Sequence, residues 1–120
     1  MVSTLAGSSA GHADGIGTEA QFYGPTGVAV DSSGNIYVAD LDNHCIRKIT
    51  PAGGVVSTFA GTGTAGFADG TGNTAQFYYP FGVAVDSFGN VYVADANNHL
   101  IRKITPADRI EDRVVRTLMR

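Results

Sequence analysis

Short apolar runs separated by turn-forming residues dominate the hydrophobic pattern of the chain. Residues 27–49 contain three such runs, which read Gly-Val-Ala-Val, Ile-Tyr-Val-Ala and Cys-Ile-Arg-Lys-Ile. Between them lie Asp-Ser-Ser-Gly-Asn and Asp-Asn-His, which are typical of tight turns. Runs of four or five residues bounded by turn signals predict strands rather than helices. Apolar residues occur at both odd and even positions, so we expect strands that are covered on both faces.

A long internal repeat organises the chain. Residues 75–106 match residues 20–51 at 25 of 32 positions, with an offset of 55. Residues 2–7, Val-Ser-Thr-Leu-Ala-Gly, return as residues 56–61, Val-Ser-Thr-Phe-Ala-Gly, with an offset of 54. Long Gly-rich connections precede the repeated strands, at residues 8–24 and 62–79. Each unit therefore supplies three strands, and residues 55–59 supply a fourth after a Pro-Ala-Gly-Gly turn.

Four short strands that recur, each sheet covered on both faces, are typical of β-propeller blades. We therefore predict an all-β fold with two blades per chain, each of four antiparallel strands. Residues 1–106 hold the two repeats, with the first blade at about 25–61 and the second at about 80–118. Residues 2–7 are expected to form an outer strand of another blade.

The C-terminal tail, residues 107–120, departs from the repeat and has two interpretations. As a strand, Val-Val-Arg-Thr-Leu at 114–118 resembles residues 55–59 and would complete the second blade. As a short helix, Asp108 and Glu111 form a pair that resembles a capping box, and Ile110, Val114 and Leu118 lie on one face. The similarity to residues 55–59 favours the strand.

The motifs of the repeat resemble those of the NHL repeat family. They read Pro-x-Gly-Val-Ala-Val-Asp, Gly-Asn-x-Tyr-Val-Ala-Asp and Asn-His-x-Ile-Arg-Lys-Ile. The resemblance covers residues 2–106 and implies blades of a propeller that typically has six. Two blades cannot close a ring, because the outward face of each would stay in water. We therefore expect either self-association, in which a homotrimer gives six blades, or the remainder of a longer propeller.

Charge and composition narrow the classes of partner. The net charge is −3, and the residues up to 106 carry four Lys or Arg against eight Asp or Glu. An acidic body argues against nucleic acid as a partner, because nucleic-acid-binding proteins usually show a basic face. No apolar run is long enough to span a membrane, and residues 2–7 belong to the repeat rather than to a signal peptide. We therefore expect no membrane contact, and the compartment stays unassigned.

A set of polar residues recurs at fixed spacing in both repeats. These residues suit either a catalytic or metal-binding site, or a hydrogen-bond network that fixes the turn between the second and third strands. Repetition favours the network, because a catalytic site needs one asymmetric constellation. We therefore predict no catalytic residue, no metal site and no cofactor. The predicted network consists of Asp40, Asn43, His44, Arg47, Asp95, Asn98, His99 and Arg102.

Two other features have structural interpretations. Asp31 and Asp86 open turns rich in oxygen ligands, but the spacing and the number of acids differ from a dedicated calcium loop, so we interpret both as turn formers. Cys45 aligns with Leu100 of the second repeat, which predicts a small core residue.

The approach to each first strand supplies the candidate ligand-binding surface. In a propeller the Gly-rich connections and the turn after the second strand share one end of the blade. Tyr23, Thr26, Tyr79 and Phe81 lie beside the prolines at that end. Aromatic side chains next to Gly-rich loops suit a protein, peptide or carbohydrate ligand.

The leading prediction is a non-catalytic binding or scaffold module. The first alternative is a fragment of a propeller enzyme of the lyase or lactonase type, because some similar six-bladed propellers hold a metal in the channel. Gly27 and Gly82 stand where such a site needs acids or histidines, which disfavours it. The second alternative is RNA binding, known for some animal members of the family. Apart from the tail, Lys and Arg are confined to residues 47–48 and 102–103, which weakens that alternative.

Overall fold

The computed structural model describes residues 1–118 and contains two five-stranded antiparallel sheets. In the first sheet the order is β1-β5-β4-β3-β2. Its strands are β1 (Gly15–Ile16), β2 (Pro25–Val30), β3 (Ile36–Asp40), β4 (Cys45–Ile49) and β5 (Val55–Ala60).

The second sheet repeats this topology with the order β6-β10-β9-β8-β7. Its strands are β6 (Gly70–Thr71), β7 (Pro80–Val85), β8 (Val91–Asp95), β9 (Leu100–Thr105) and β10 (Val114–Thr117). The predicted all-β fold of two repeated blades is therefore confirmed. Each sheet carries one strand more than the four predicted, because a two-residue segment of the Gly-rich connection pairs with the outer strand.

The two turns of each repeat are built by the residues that predicted them. The Asp31 carboxylate accepts hydrogen bonds from the backbone N–H of Ser33 and of Asn35, both at 2.9 Å. Gly34 adopts φ +89°, a conformation that glycine reaches without steric cost. The second turn is a 3₁₀ helix, Leu41–Asn43, and it ends at His44 with φ +51°. The second repeat forms the same turns from Asp86 and from the 3₁₀ helix Ala96–Asn98.

The main hydrophobic core lies between the two sheets. The first sheet contributes Tyr37, Ala39, Ile46, Phe59 and Ala60, all of which are buried. The second sheet and the connection before it contribute Ala75, Phe77, Val91, Val93, Ile104 and Val115. One face of the first sheet therefore packs on the opposite face of the second.

The outward faces of the two sheets have no blade beside them within residues 1–118. On the first sheet a smaller cluster gathers Val38, Ile49 and Val56 with Phe22 and Ile36. On the second sheet Ile101 and Ala94 are exposed. The pattern of apolar residues predicted cover on both faces of each sheet, and the structure supplies it on one.

Residues 107–118 attach to the edge of the second sheet. They contain the 3₁₀ helix Ile110–Asp112 and the strand β10, which pairs with β9. Arg113 joins this segment to the first sheet: its guanidinium carbon lies 4.3 Å from the centre of the Phe59 ring, and Nη1 donates to the Phe59 carbonyl at 3.2 Å. Residues 2–6, by contrast, form no strand. No helix among residues 1–118 has the length and apolar character needed to cross a bilayer.

Candidate ligand-binding face

A buried arginine fastens each Gly-rich connection to its sheet. Arg47 lies on β4, and its Nη1 donates to Oδ2 of Asp40 and to the carbonyl of Gln21, at 2.9 and 2.8 Å. Its Nη2 donates to the Ala13 carbonyl and to Oδ1 of Asp14, both at 2.9 Å. One side chain therefore ties both arms of the connection to the end of β3.

The second repeat builds the same arrangement around Arg102. Nη1 of Arg102 donates to Oδ2 of Asp95 and to the Gln76 carbonyl, at 2.8 and 2.9 Å. Nη2 donates to the Ala68 carbonyl and to Oδ1 of Asp69, both at 2.9 Å. Repetition of every contact indicates that these groups hold the fold together.

The two asparagines extend the network to the loop backbone. Asn43 donates from Nδ2 to Oδ2 of Asp40 at 2.8 Å and to the Gly11 carbonyl at 2.9 Å. Asn98 makes the equivalent bonds to Asp95 and Gly66. The structure therefore brings together three of the four predicted residue types, Asp, Asn and Arg, in each repeat.

His44 and His99 lie outside this network. Nδ1 of His44 accepts a hydrogen bond from the backbone N–H of Tyr79 at 3.0 Å, so this histidine links the first sheet to the second. His99 is exposed, and its ring has no hydrogen-bond partner within the described part of the chain. The sequence placed both histidines in the turn network. Both histidines instead end the 3₁₀ helix with a left-handed backbone, and the His44 ring lies against the Tyr79 ring of the second repeat.

Sequence reasoning missed Asp14 and Asp69. Each accepts a hydrogen bond from Nη2 of its arginine, while Nε of both arginines is buried without a hydrogen-bond partner among the described residues. It also missed the aromatic contacts of these arginines: the guanidinium carbon of Arg47 lies 5.1 Å from the centre of the Phe22 ring. An arginine at the centre of an apolar strand was the available signal. A buried guanidinium needs several hydrogen-bond acceptors, so acidic residues elsewhere in the repeat could have been expected near it.

The candidate surface residues lie at the end of both sheets at which β2 and β7 begin. We call this end, with the Gly-rich connections, the loop face. Tyr23 is 49% exposed and Phe81 is 58% exposed. Thr26 is exposed and donates from its hydroxyl to the Phe81 carbonyl at 2.5 Å, across the two sheets. Tyr79 is half-buried, so only part of its ring is accessible.

Three rings cluster where the two sheets meet on the loop face. The Tyr79 ring centre lies 4.5 Å from that of His44, with the rings edge to face. Tyr78 stacks on Tyr79 with 5.5 Å between ring centres, and 39% of Tyr78 is exposed. The prediction had omitted Tyr78 from the surface set. Its repeat partner is Tyr23, which is among the predicted surface residues, so the alignment of the two repeats also indicates Tyr78.

Shifts of pKa occur at groups that are buried or hydrogen-bonded within the sheets. Burial raises the pKa of the Cys45 thiol to about 12, and the negative charge of Asp40 adds to the effect. Burial, followed by a hydrogen bond to Asp31, raises the pKa of Tyr37 to about 12. The Asn90 side-chain amide lowers the pKa of Asp86, because it hydrogen-bonds the charged carboxylate. These groups stay in one protonation state near neutral pH.

The described residues gather few groups suited to metal binding. Among residues 1–118, no three His, Cys, Asp or Glu side chains converge closely enough to hold a metal ion. The acidic groups of the network already accept hydrogen bonds from arginine and asparagine. The chemically available groups of the loop face are therefore aromatic rings, hydroxyls, backbone amides and the His99 imidazole.

Comparison with protein families matches two segments of the chain to the model of the NHL repeat, residues 22–49 and 77–104. Each segment runs from the approach to a blade through its third strand. The chain is 44% identical over 108 residues to Protein SUPPRESSOR OF QUENCHING 1, chloroplastic, of Arabidopsis thaliana, covering 90% of this chain and 10% of that protein. It is 40% identical over 95 residues to NHL repeat-containing protein 2 of Bos taurus, covering 77% of this chain and 13% of that protein. The chain thus spans about a tenth of these curated relatives.

Solved structures share the fold over nearly the whole chain. A protein of unknown function from Bacteroides thetaiotaomicron matches with a TM-score of 0.79 and 34% identity, over 93% of this chain and 27% of that one. A protein of the same organism named "Putative phosphatase" matches with 0.72 and 26%, over 98% of this chain and 27% of that one. An auxiliary nutrient binding protein from Bacteroides ovatus matches with 0.72 and 27%, over 96% of this chain and 28% of that one.

Proposed function

The chain is built from NHL repeats, and from this premise we propose that it is a non-catalytic binding module whose loop face holds a protein or peptide ligand. One observation carries the proposal. The aspartates and arginines of the network are used in internal bonds that recur in both repeats, which leaves His99 as an isolated imidazole within residues 1–118, whereas several aromatic rings are accessible. Accessible aromatic side chains are enriched in protein-binding surfaces, because they bury a large area at a low entropic cost.

Differences between the two repeats concentrate on the loop face. Of the seven positions that differ between residues 20–51 and 75–106, five lie at this end, and four of these are at least partly exposed in both repeats. These four are positions 24 and 79, 26 and 81, 41 and 96, and 42 and 97. A framework that repeats needs the same residues in both blades, whereas a binding surface is free to differ. This pattern favours Tyr79 and Phe81 as ligand contacts.

Other properties of the loop face support a ligand that is held rather than transformed. The arginine anchors fix the Gly-rich connections, so the rings are presented on a rigid platform that loses little entropy on binding. Tyr78 and Tyr79 stack where the two sheets meet, and a short extended peptide suits such a shallow apolar platform. One of the similar solved structures is that of an auxiliary nutrient binding protein.

The test is selection of ligands followed by substitution. Peptides are selected from a phage-displayed library against the 120-residue chain, and their dissociation constants are measured by calorimetry. Tyr78→Ala and Phe81→Ala are expected to weaken binding at least about tenfold each, which corresponds to about 1.4 kcal/mol. Phe88→Ala is the matched control, because Phe88 is 84% exposed at the opposite end of the second sheet.

Two outcomes contradict this proposal. If Phe88→Ala weakens binding as strongly as Phe81→Ala, the loop face is not the binding surface. If the chain selects no peptide but retains a carbohydrate on a glycan array, the proposed ligand class is wrong. The same three variants then test whether the carbohydrate binds to the loop face.

A further inference from the structure

The outward faces of the two sheets are made of residues that are buried elsewhere in the same molecule. Ile46 of the first sheet is fully buried, whereas its repeat partner Ile101 is 48% exposed. Val28 is 66% exposed, whereas its partner Val83 packs on the main core. The exposure of a position therefore depends on whether a blade lies beside it, and the sequence at these positions suits burial.

The contact between the two sheets is a template for a contact between molecules. Its first-sheet half is formed by Tyr37, Ala39, Ile46 and Phe59, whose repeat partners on the open face of the second sheet are Tyr92, Ala94, Ile101 and Leu118. Its second-sheet half is formed by Phe77, Val91, Val93 and Ile104, whose repeat partners on the open face of the first sheet are Phe22, Ile36, Val38 and Ile49.

We propose that the open face of the second sheet of one copy docks on the open face of the first sheet of a second copy, in the geometry of the internal contact. Each copy then offers both halves of the interface, one at each end. Such a head-to-tail contact continues until the ends meet, and three copies give the closed ring of six blades expected from the sequence. The proposal does not depend on the ligand of the loop face.

Each open face carries a concave feature in the region of the proposed contact. On the first sheet an apolar groove of about 370 Å³ is lined by Phe22, Val28, Ile36 and Val38, and its remaining wall includes Leu5 of the N-terminal segment, which the docking copy displaces. In the template the corresponding space is filled by Tyr37 and Ala39. On the second sheet a cavity of about 240 Å³ lies beside His99 and Ile101. In the template the corresponding region borders His44, which contacts the rings of Tyr78 and Tyr79. In the docked pair only Tyr23, the repeat partner of Tyr78, supplies a ring there, because the partner of Tyr79 is Gly24.

A backbone hydrogen bond is also available across the new contact. In the template, Nδ1 of His44 accepts from the backbone N–H of Tyr79, which has φ +51°. The repeat partner of Tyr79 is Gly24, with φ +66°, and the partner of His44 is His99, with φ +58°. His99 is exposed and its backbone already has the conformation of His44. Docking therefore pairs His99 of one copy with the Gly24 N–H of the next.

Two glycines supply a steric test of the geometry. A Cβ added at Gly27 would lie 3.1 Å from Cα of Gly82, because the inner strands touch in the template. A Cβ added at Gly82 would meet no atom within 4 Å, and its φ lies outside the left-handed region. In the docked pair, Gly82 of one copy occupies the position of Gly27 in the template. A larger residue at 82 therefore fits the single copy and obstructs the docked one.

The N-terminal residues need to move for this contact. Gly7 donates to the Gly17 carbonyl at 3.1 Å, as its repeat partner Gly61 donates to the Gly72 carbonyl at 2.8 Å. Residues 2–6 therefore lie where the outer strand of a preceding blade would lie, which is the place that β10 of the docking copy takes. Because β10 is paired along β9 and residues 2–6 form no strand, the N-terminal residues give way.

Sedimentation equilibrium of the 120-residue chain over a wide range of concentration tests the proposal. The expected result is a reversible increase in mass toward three times that of the single chain. Gly82→Val and Ile101→Asp are expected to raise the dissociation constant at least about tenfold, since each disturbs the centre of the interface. Phe88→Asp, at an exposed position outside both open faces, is expected to leave it unchanged. Removal of residues 1–6 is expected to lower it.

Other outcomes overturn the proposal. Circular dichroism and thermal unfolding first establish that Gly82→Val folds as the parent chain does. A folded parent chain that stays monomeric at every concentration shows that the open faces belong to blades other than its own copies. Association that Gly82→Val and Ile101→Asp leave unchanged shows that another surface is used. Loss of association on removal of residues 1–6 shows that these residues, rather than β10, complete the blade.

Discussion

Replacement of two equivalent isoleucines measures how much one blade gains from its neighbour. Ile46 and Ile101 occupy the same place in the two repeats, one on β4 and one on β9. Ile46 is fully buried between the sheets, whereas Ile101 is 48% exposed on the open face of the second sheet. The change Ile→Ala is therefore identical in chemistry at both sites, and both isoleucines pair with the equivalent alanine of the second strand, Ala39 or Ala94. The main difference is the neighbouring blade.

The magnitudes follow from burial. Ile46→Ala removes buried methyl groups and leaves a cavity that the surrounding core fills only in part, so it is expected to lower the free energy of unfolding by about 2–5 kcal/mol. Ile101→Ala removes groups that are about half in contact with water and leaves no closed cavity, so its cost is expected to be about 1 kcal/mol or less.

Urea unfolding, followed by circular dichroism at a concentration where the chain is monomeric, provides the measurement. A loss of about 2 kcal/mol shifts the midpoint by about 1 M for a protein of this size. At high concentration the cost of Ile101→Ala should rise toward that of Ile46→Ala if copies associate. Equal costs in the monomer would refute the reasoning, because they would mean that the contact between the sheets contributes no stability at this position.

Three further outcomes are expected. Arg47→Met should lower the free energy of unfolding by about 3–5 kcal/mol by leaving the Asp40 carboxylate buried without its partner, whereas Asp14→Asn, at an exposed carboxylate, should cost less than about 1 kcal/mol in the same urea assay. Iodoacetamide should alkylate Cys45 of the folded chain far more slowly than that of the urea-unfolded chain, as followed by mass spectrometry, because burial raises its pKa to about 12; equal rates would contradict the placement of this thiol. The free energy of unfolding should fall in acid, since Asp86 has a folded-state pKa below its ordinary value of 3.8. The stability that Asp86 contributes is complete above that value and is lost as the pH falls through the lowered pKa. Thermal unfolding should therefore show a smaller decrease of stability with falling pH for Asp86→Asn than for the parent chain.

The main strands and turns of the blades could be predicted from the sequence, because short stretches of neighbouring residues determine them. Short apolar runs bounded by turn-forming residues predicted β2, β3 and β4 and their copies, and Asp31 with Gly34 predicted the turn between the first two. Local rules failed at β1 and β6, which are two residues long and contain glycine. Their pairing depends on the free edges of β5 and β10 and on the arginine anchors, which only the folded chain brings into place.

Part of the candidate site could also be predicted from local spacing in the sequence. Asp40, Asn43 and Arg47 share a repeat and a network, so spacing alone grouped them. His44 shares the spacing but not the network, because a left-handed residue at the end of a 3₁₀ helix turns the ring toward the neighbouring sheet. Tyr79, predicted to be a surface residue, is half-buried because it meets that ring.

The contact of Gly27 with Gly82 has a consequence for the dimensions of any ring made from these blades. At the inner strands the two sheets approach until backbone meets backbone, whereas farther out they are separated by rings such as those of Tyr37 and Phe59. The difference gives each blade a taper, and the number of blades is the number of such wedges that complete a full turn. A bulkier residue at position 27 would widen the inner edge, reduce the taper and favour a larger ring. The close contact of the two glycines therefore helps to set the diameter of the assembly.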